Sequence, residues 1–395
     1  MAEAESSEAA ATAVADKHSK PRRLKGHKDC TTSCIASRDR PRVIVTSGED
    51  GRVCWFDMRC KDVARLVMDV SVEPVTSLCF KTGNEDMIYA SSGTEIKCFD
   101  VRLATKEWKP LENYNYNKEE INKVVCNLKS SFLAAADDSG EVKWCFGTWM
   151  LIMQIWSFVF KLLILLICNT VQFLPWRSYE VISGGLDSLL LIWDFSKGRS
   201  HKVVDFGSLE ANSSNTGQCV NPAFVYAIAV PEVDMLDKSD KICAVARGDG
   251  VVSVINIESE IAANRSKSSS NSRKGSQSRS KDGTSSSSNV DAGQNGNRRL
   301  HLDYTLGGHT AAVSCLEFSL FGERGKFIIS GGNDQLVKVW NWSSYRDSGI
   351  GDNNDILHST INVGHKVNSL CTVPADTDNL VVCDTSKSVK VYSVT

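Results

Sequence analysis

Arg59 and Arg102 carry the most specific chemical signal in this chain. Each stands two residues after an aspartate, in WFDMR and CFDVR, at the ends of two apolar runs whose arginines are 43 residues apart. Arginine presents a rigid fork of donors that suits half-buried protein contacts. Asp57 and Asp100 can each orient their arginine through a charge-assisted hydrogen bond. The plainer reading is that each arginine pairs only with its own aspartate on the surface. One such pair is commonplace, but two at equivalent positions of consecutive segments point to a binding surface.

Other candidates for chemistry are weaker. HKDCTTSC places His27, Cys30 and Cys34 close together, but structural zinc normally needs four ligands and no second pair follows. Cys34 also falls where a strand would turn apolar residues inward. Three of the seven histidines belong to Gly-His pairs, and an aspartate recurs in turn after turn, which marks both as repeat structure. There is no GxxxxGK[ST] phosphate loop, no GxSxG elbow and no HExxH. The expectation is a non-enzymatic protein without cofactor or metal.

Behind the arginines lies a repeat. RVIVTSGEDGRVCWFD is an apolar run, a Gly/Asp turn and a second alternating run. The phrase returns as MIYASSGTEIKCFD, FLAAADDSGEVKW, EVISGGLDSLLLIWD, ICAVARGDGVVSVIN, FIISGGNDQLVKVWN and LVVCDTSKSVKVYS, seven occurrences in all. Their turns lie near Gly48, Gly93, Asp138, Gly185, Gly248, Gly332 and Ser386, and the first three steps are close to 45 residues. No unit has enough strands to bury a core alone, so this period predicts an all-β fold of stacked sheets, a seven-bladed β-propeller.

At this point the chain resembles the WD40-repeat family. Gly-His pairs precede units one, six and seven at His27, His309 and His365. Unit six has the family's full set, His309, Ser330, Asp334 and Trp340, which in that family form a hydrogen-bonded network tying a blade's strands together. Unit one matches at His27, Ser47 and Asp50 but has Phe56 at the Trp position. Unit four matches at Ser183, Asp187 and Trp193 but has no upstream histidine. The segment Arg22–Lys25 reads as an outer strand, which in that family completes the last blade and closes the ring.

The Asp-x-Arg strand ends further resemble the box of WD40 receptors of cullin-4 ubiquitin ligases, where two such arginines on adjacent blades contact the adaptor, damaged-DNA-binding protein 1. That resemblance implies adaptor binding by Asp57, Arg59, Asp100 and Arg102, with an unidentified protein substrate held elsewhere. Unit two departs from the repeat at Gly93, where an Asp is expected, and unit four has Ser196 in place of the arginine. The alternative function is a propeller scaffold in chromatin or RNA-associated complexes, independent of the ligase.

Composition sets limits. With 42% hydrophobic and 23% charged residues the chain can bury a large core, and a net charge of −2 argues against nucleic acid as a direct ligand. Fourteen cysteines without a CxxC pair fit reduced thiols, hence a nuclear or cytoplasmic protein. Residues 1–20 read as a disordered tail ahead of a propeller spanning 21–395. Residues 207–222 read as an extended loop, and 264–299 as a disordered insertion holding eight Lys or Arg against two Asp. The basic residues there fit a solvated spacer, with phosphorylation at Arg273–Ser276, nuclear import or RNA contact as further readings.

WMLIMQIWSFVFKLLILLIC, Trp149–Cys168, is anomalous: twenty residues with one charge, Lys161, inside the atypical stretch 144–170. It is long enough to cross a bilayer. A span there would put three blades on one side and four on the other, which no closed propeller survives. The run also replaces repeat sequence, since Asp138 and Asp187 are only 49 residues apart. Its residues largely have U-rich codons, so an aberrant or alternative splice product or gene-model error is the favoured reading. A packed blade variant and a membrane-anchored form are the alternatives. If the chain is made as written, blade three loses its outer strand.

Overall fold

The computed structural model describes residues 20–103, 108–127, 132–146, 166–209, 219–235, 241–263, 299–343 and 356–394. The expectations for the N-terminal tail through residue 19, for 147–165 and for the basic segment 264–298 fall outside them. In chain order the strands begin with β1 (Arg22–Lys25), followed by blade one: β2 (Thr31–Ala36), β3 (Val43–Gly48), β4 (Arg52–Asp57) and β5 (Leu66–Asp69). Blade two is β6 (Val75–Lys81), β7 (Asn84–Ser92), β8 (Glu95–Asp100) and β9 (Glu112–Tyr114). Blade three is β10 (Ile121–Cys126), β11 (Phe132–Asp137) and β12 (Val142–Phe146). Blade four is β13 (Cys168–Phe173), β14 (Glu180–Gly185), β15 (Leu189–Asp194) and β16 (Arg199–Asp205). Blade five is β17 (Val225–Ala229), β18 (Ile242–Arg247), β19 (Val252–Asn256) and β20 (Leu300–Leu302). Blade six is β21 (Val313–Phe318), β22 (Phe327–Gly332), β23 (Leu336–Asn341) and β24 (Leu357–Asn362). Blade seven is β25 (Val367–Thr372), β26 (Leu380–Asp384) and β27 (Ser388–Tyr392), completed by β1.

Alternation of apolar residues with tight turns produces the antiparallel pairs. The turn between the second and third strand of a blade needs a left-handed residue, which glycine adopts without a Cβ penalty. Gly51 fills it in blade one at φ +69°, where a Cβ would stand 2.0 Å from the Ser71 carbonyl oxygen. Blades four and six place Ser188 and Gln335 there instead, at φ +62° and +68°.

Innermost strands β2, β6, β10, β13, β17, β21 and β25 each pack against the next, and β25 returns to β2, so seven sheets close into a ring. The core is divided accordingly into seven wedges, one between each pair of neighbouring blades. A belt of polar side chains, one residue into each innermost strand, ties blade to blade. Thr32 donates to Val75 O, Thr76 to Ile121 O and Ser314 to Val367 O. Asn122, Asn169 and Asn368 donate through Nδ2 to Cys168 O, Val225 O and Thr31 O, at 3.1, 3.2 and 2.8 Å. Blade five has Tyr226 at this position.

Ring closure is the pairing of β1 with β27, where Leu24 faces Val389 and is 1% exposed in the wedge between blades seven and one. Leu24→Ala removes a fully buried side chain and leaves a cavity in that seam. It should cost about 3 kcal/mol, read from the urea midpoint at constant slope.

Among the described residues blade three has three strands, with β12 at its outer edge. Cys168, the last residue of the apolar run, is fully buried and opens β13, so the end of the atypical stretch 144–170 is already blade strand. No helix of the described residues is long and apolar enough to cross a membrane.

In blade six the four-residue network is complete. His309 Nδ1 lies 3.0 Å from Asp334 Oδ1, His309 Nε2 lies 2.8 Å from Ser330 Oγ, and Trp340 Nε1 donates to Ser330 Oγ at 2.8 Å. Burial pushes the imidazole below its usual pKa against the pull of Asp334, so His309 is held neutral. Burial raises Asp334, but the hydrogen bonds from His309, Thr310 N and Leu336 N outweigh it and hold the carboxyl low.

Two sequence expectations need correction. In blade one the hydroxyl that meets His27 Nε2 is Thr46, at 2.8 Å, not Ser47. Thr46 is the residue at the register position of Ser330, and Ser47, one residue on, turns to the opposite face and bonds Thr32 Oγ1 at 2.9 Å. His27 Nδ1 does reach Asp50, at 3.1 Å. In blade four no network forms: Ser183 Oγ and Trp193 Nε1 have no hydrogen-bond partner among the described residues, because without a histidine nothing links them to Asp187.

Blades three, five and seven use other buried charges instead. Lys390 Nζ pairs with Asp384 at 2.6 Å in blade seven, Lys143 Nζ with Glu141 at 3.4 Å in blade three, and Arg247 with Asp249 in blade five. The third Gly-His pair is not used in this way, since His365 is exposed at a turn.

Candidate docking face

The two Asp-x-Arg strand ends lie on one face of the ring, where the first-to-second and third-to-fourth strand connections of each blade emerge. Asp57 ends β4 and Asp100 ends β8, and both are buried. Arg59 folds back so that Nε and Nη2 each meet a different oxygen of Asp57 at 2.9 Å. Arg102 repeats the fork on Asp100 at 3.0 and 2.6 Å. In each case the aspartate also accepts from the arginine's own backbone amide. These bonds hold both carboxyls below the usual carboxylate range, and the buried aspartates are therefore anchored as anions. Both arginine side chains remain 61% exposed, with donors left over for an incoming partner.

Sequence reading missed what ties the second fork to blade one. Asp86, near the start of β7, takes Arg40 Nη1 at 2.9 Å and lies 3.6 Å from Arg102 Nε. Arg40 also donates to Glu85 O and lies over the Trp55 ring, 5.1 Å from its centroid. Glu85 caps the first connection of blade one by accepting from the Ser37 hydroxyl and from the amides of Arg38 and Asp39. Blades one and two thus form one braced platform. The Trp-Asp position drew attention to Asp57; Arg40 sits in a loop with no motif, so only its neighbours reveal it.

At the register positions of Arg59 in other blades stand Ser196, Glu258 and Ser343. Ser196 bonds Asp194, and Glu258 is clamped by Arg177 at 2.9 and 2.6 Å. Among the described residues the fork pair is confined to blades one and two. The metal-type trio does not converge. His27 commits both ring nitrogens to Asp50 and Thr46, Cys34 is buried beside Ser369 in the neighbouring blade, and Cys30 lies instead with exposed Asp29 and Glu49. Every cysteine whose side chain is described is free.

Seven closed blades make this chain a seven-bladed β-propeller, and the His–Ser–Trp–Asp network of blade six is similar to that of WD40 repeats. Residues 19–57 and 301–341, which contain the two histidine networks, match the family model "WD domain, G-beta repeat". The WD40 β-propeller domain of Doa1 superimposes with a TM-score of 0.61 at 12% identity, covering 95% of this chain and 96% of that one.

Among individual proteins, the chain is similar to the "WD repeat-containing protein 53 homolog" of Dictyostelium discoideum, 29% identical over 251 residues, which is 60% of this chain and 65% of that protein. It is also similar to "Protein ALTERED SEED GERMINATION 2" of Arabidopsis thaliana, 37% identical over 87 residues, 22% of this chain and 10% of that protein. The matches thus span less than two thirds of either relative's length.

Proposed function

We propose that this propeller is a receptor subunit that docks on damaged-DNA-binding protein 1, the adaptor of cullin-4 ubiquitin ligases, through Arg59 and Arg102. The observation that carries the reading is the duplicated geometry of two exposed guanidinium forks, each anchored on a buried aspartate, on consecutive blades. Anchoring removes most of the side-chain entropy that an arginine otherwise loses on binding, so the surface is pre-organised for a partner. Substrate would then be held by other loops of the ring, leaving this face to the adaptor.

A direct test mixes the purified chain with purified adaptor. A one-to-one complex should elute from size exclusion, with affinity in the micromolar range or tighter. Two separate peaks at about 10 μM of each protein would remove the ligase reading and leave a scaffold with another partner.

A further inference from the structure

Cys34 on β2 of blade one stands against two thiols of blade seven, Cys371 on β25 and Cys383 on β26. All three are free and buried in the wedge between these blades, the seam that the pairing of β1 with β27 closes. Ser369 fixes their placement. Its hydroxyl oxygen accepts from the Cys34 amide at 3.3 Å and lies 3.7 Å from Cys34 Sγ. Cys383 is its register partner on β26, and Cys371, two residues further along β25, points to the same face. The thiols of Cys371 and Cys383 both hydrogen-bond Cys34.

The three are not equivalent. Burial raises the Cys34 thiol, but the hydrogen bonds from Cys371, Cys383 and Ser369 outweigh it and bring Cys34 below the usual thiol range. Cys371 is pushed up, first by its bond to Cys34 and then by burial, and Cys383 is pushed up by burial and by Cys34. Cys34 is therefore the first of the three to ionise, and the thiolate is the nucleophilic form. Access separates them too. Cys34 and Cys371 line the central cavity of about 330 Å³, which admits a molecule as small as a peroxide, while Cys383 is fully buried outside its lining.

We infer that Cys34 and Cys371 are a peroxide-sensitive thiol pair whose disulfide staples blade one to blade seven. The Cys34 thiolate attacks one oxygen of hydrogen peroxide, the O–O bond breaks, and the departing hydroxide takes up the thiol's proton as water. The Cys371 sulfur then attacks the sulfenic sulfur of Cys34. The S–S bond forms, the S–O bond breaks, and hydroxide leaves with the Cys371 proton as a second water. Two thiols together lose two electrons and one peroxide gains them. Closure of the ring, otherwise held by hydrogen bonds and packing, becomes covalent at its seam. The pair is independent of adaptor docking.

The test is peptide mapping by mass spectrometry of the folded full chain after a small excess of hydrogen peroxide and alkylation of the remaining thiols. A cross-linked peptide pair containing Cys34 and Cys371 should appear, and dithiothreitol should remove it. The urea midpoint of the oxidised chain should rise by about 0.5 M or more, since the bond closes a very long loop, and fall back on reduction. In Cys371→Ser no cross-link should form and the midpoint should not rise, and Cys34 should instead take the dimedone label of a sulfenic acid. Recovery of both residues as alkylated thiols overturns the inference, as does a bond from Cys34 to Cys383. So does a cross-link that forms as readily in the urea-unfolded chain, or one that leaves the midpoint unchanged. The map and the midpoint use the unmodified chain, so they decide the matter even if the variant does not fold.

Discussion

Replacing Arg59 and Arg102 together by alanine should lower affinity for the adaptor about a thousandfold while leaving the thermal unfolding midpoint within error of the parent. Central interface arginines typically cost thirtyfold or more in affinity when truncated, and two on separate blades act nearly additively. The fold is insulated from the change because both side chains are mostly in water, whereas the aspartates beneath them are buried. Stability would fall if Asp57 and Asp100 were left as bare anions, but each keeps one backbone amide donor and Asp57 keeps Arg65 at 3.7 Å. Arg→Lys at either site should recover little, since lysine cannot span both carboxylate oxygens and still present a second face. Surface plasmon resonance with immobilised adaptor reads the loss. An affinity within threefold of the parent would mean that the forks only brace their own blades.

The three Gly-His pairs should separate sharply on substitution by alanine. His309→Ala leaves the Asp334 carboxylate and the Ser330 hydroxyl without their shared partner inside a buried network, and about 3 kcal/mol of stability should be lost. His27→Ala should cost somewhat less, about 2 kcal/mol, because Phe56 replaces the tryptophan and the chain of bonds is shorter. His365→Ala should change stability by no more than about 0.5 kcal/mol, since the ring is exposed.

The first of these has a pH signature. His309 is held below its usual pKa in the folded state, so the unfolded chain takes up a proton near pH 6.5 that the folded chain refuses. Stability from this residue is therefore present above about pH 6.5 and declines as pH falls toward the lowered folded value. Asp334 acts in the same direction further down, near and below pH 4, being depressed by the bonds that outweigh its burial. The groups facing His309 are Asp334 and Lys338. Urea titrations at pH 7.5 and 5.5 should show a smaller difference in His309→Ala than in the parent; an unchanged difference would show that the histidine's protonation does not couple to folding.

Much of this protein is decided locally, and that part is readable residue by residue. Alternation with period two, Gly/Asp turns and a spacing near 45 residues specify strands, turns and repeat number, because each depends only on neighbours in the chain. Arg59 and Arg102 belong here too, since the Asp-x-Arg fork is built from residues two apart. The local record fails where one residue of register matters. Thr46 and Ser47 are both hydroxyls on one strand, and only the pairing of β3 with β2 turns Thr46 toward His27. It fails again where identical motifs meet different surroundings, as with Gly308-His309 and Gly364-His365, one buried and one in water. Most of all it fails across the ring. Arg40 beside Asp86 and Arg38 beside Glu232 are brought together by the packing of blade on blade around the ring, and no spacing in the chain encodes those distances. Strand formation is a short-range property of side-chain pattern; the channel and the braced docking platform exist only once seven sheets have packed into a circle.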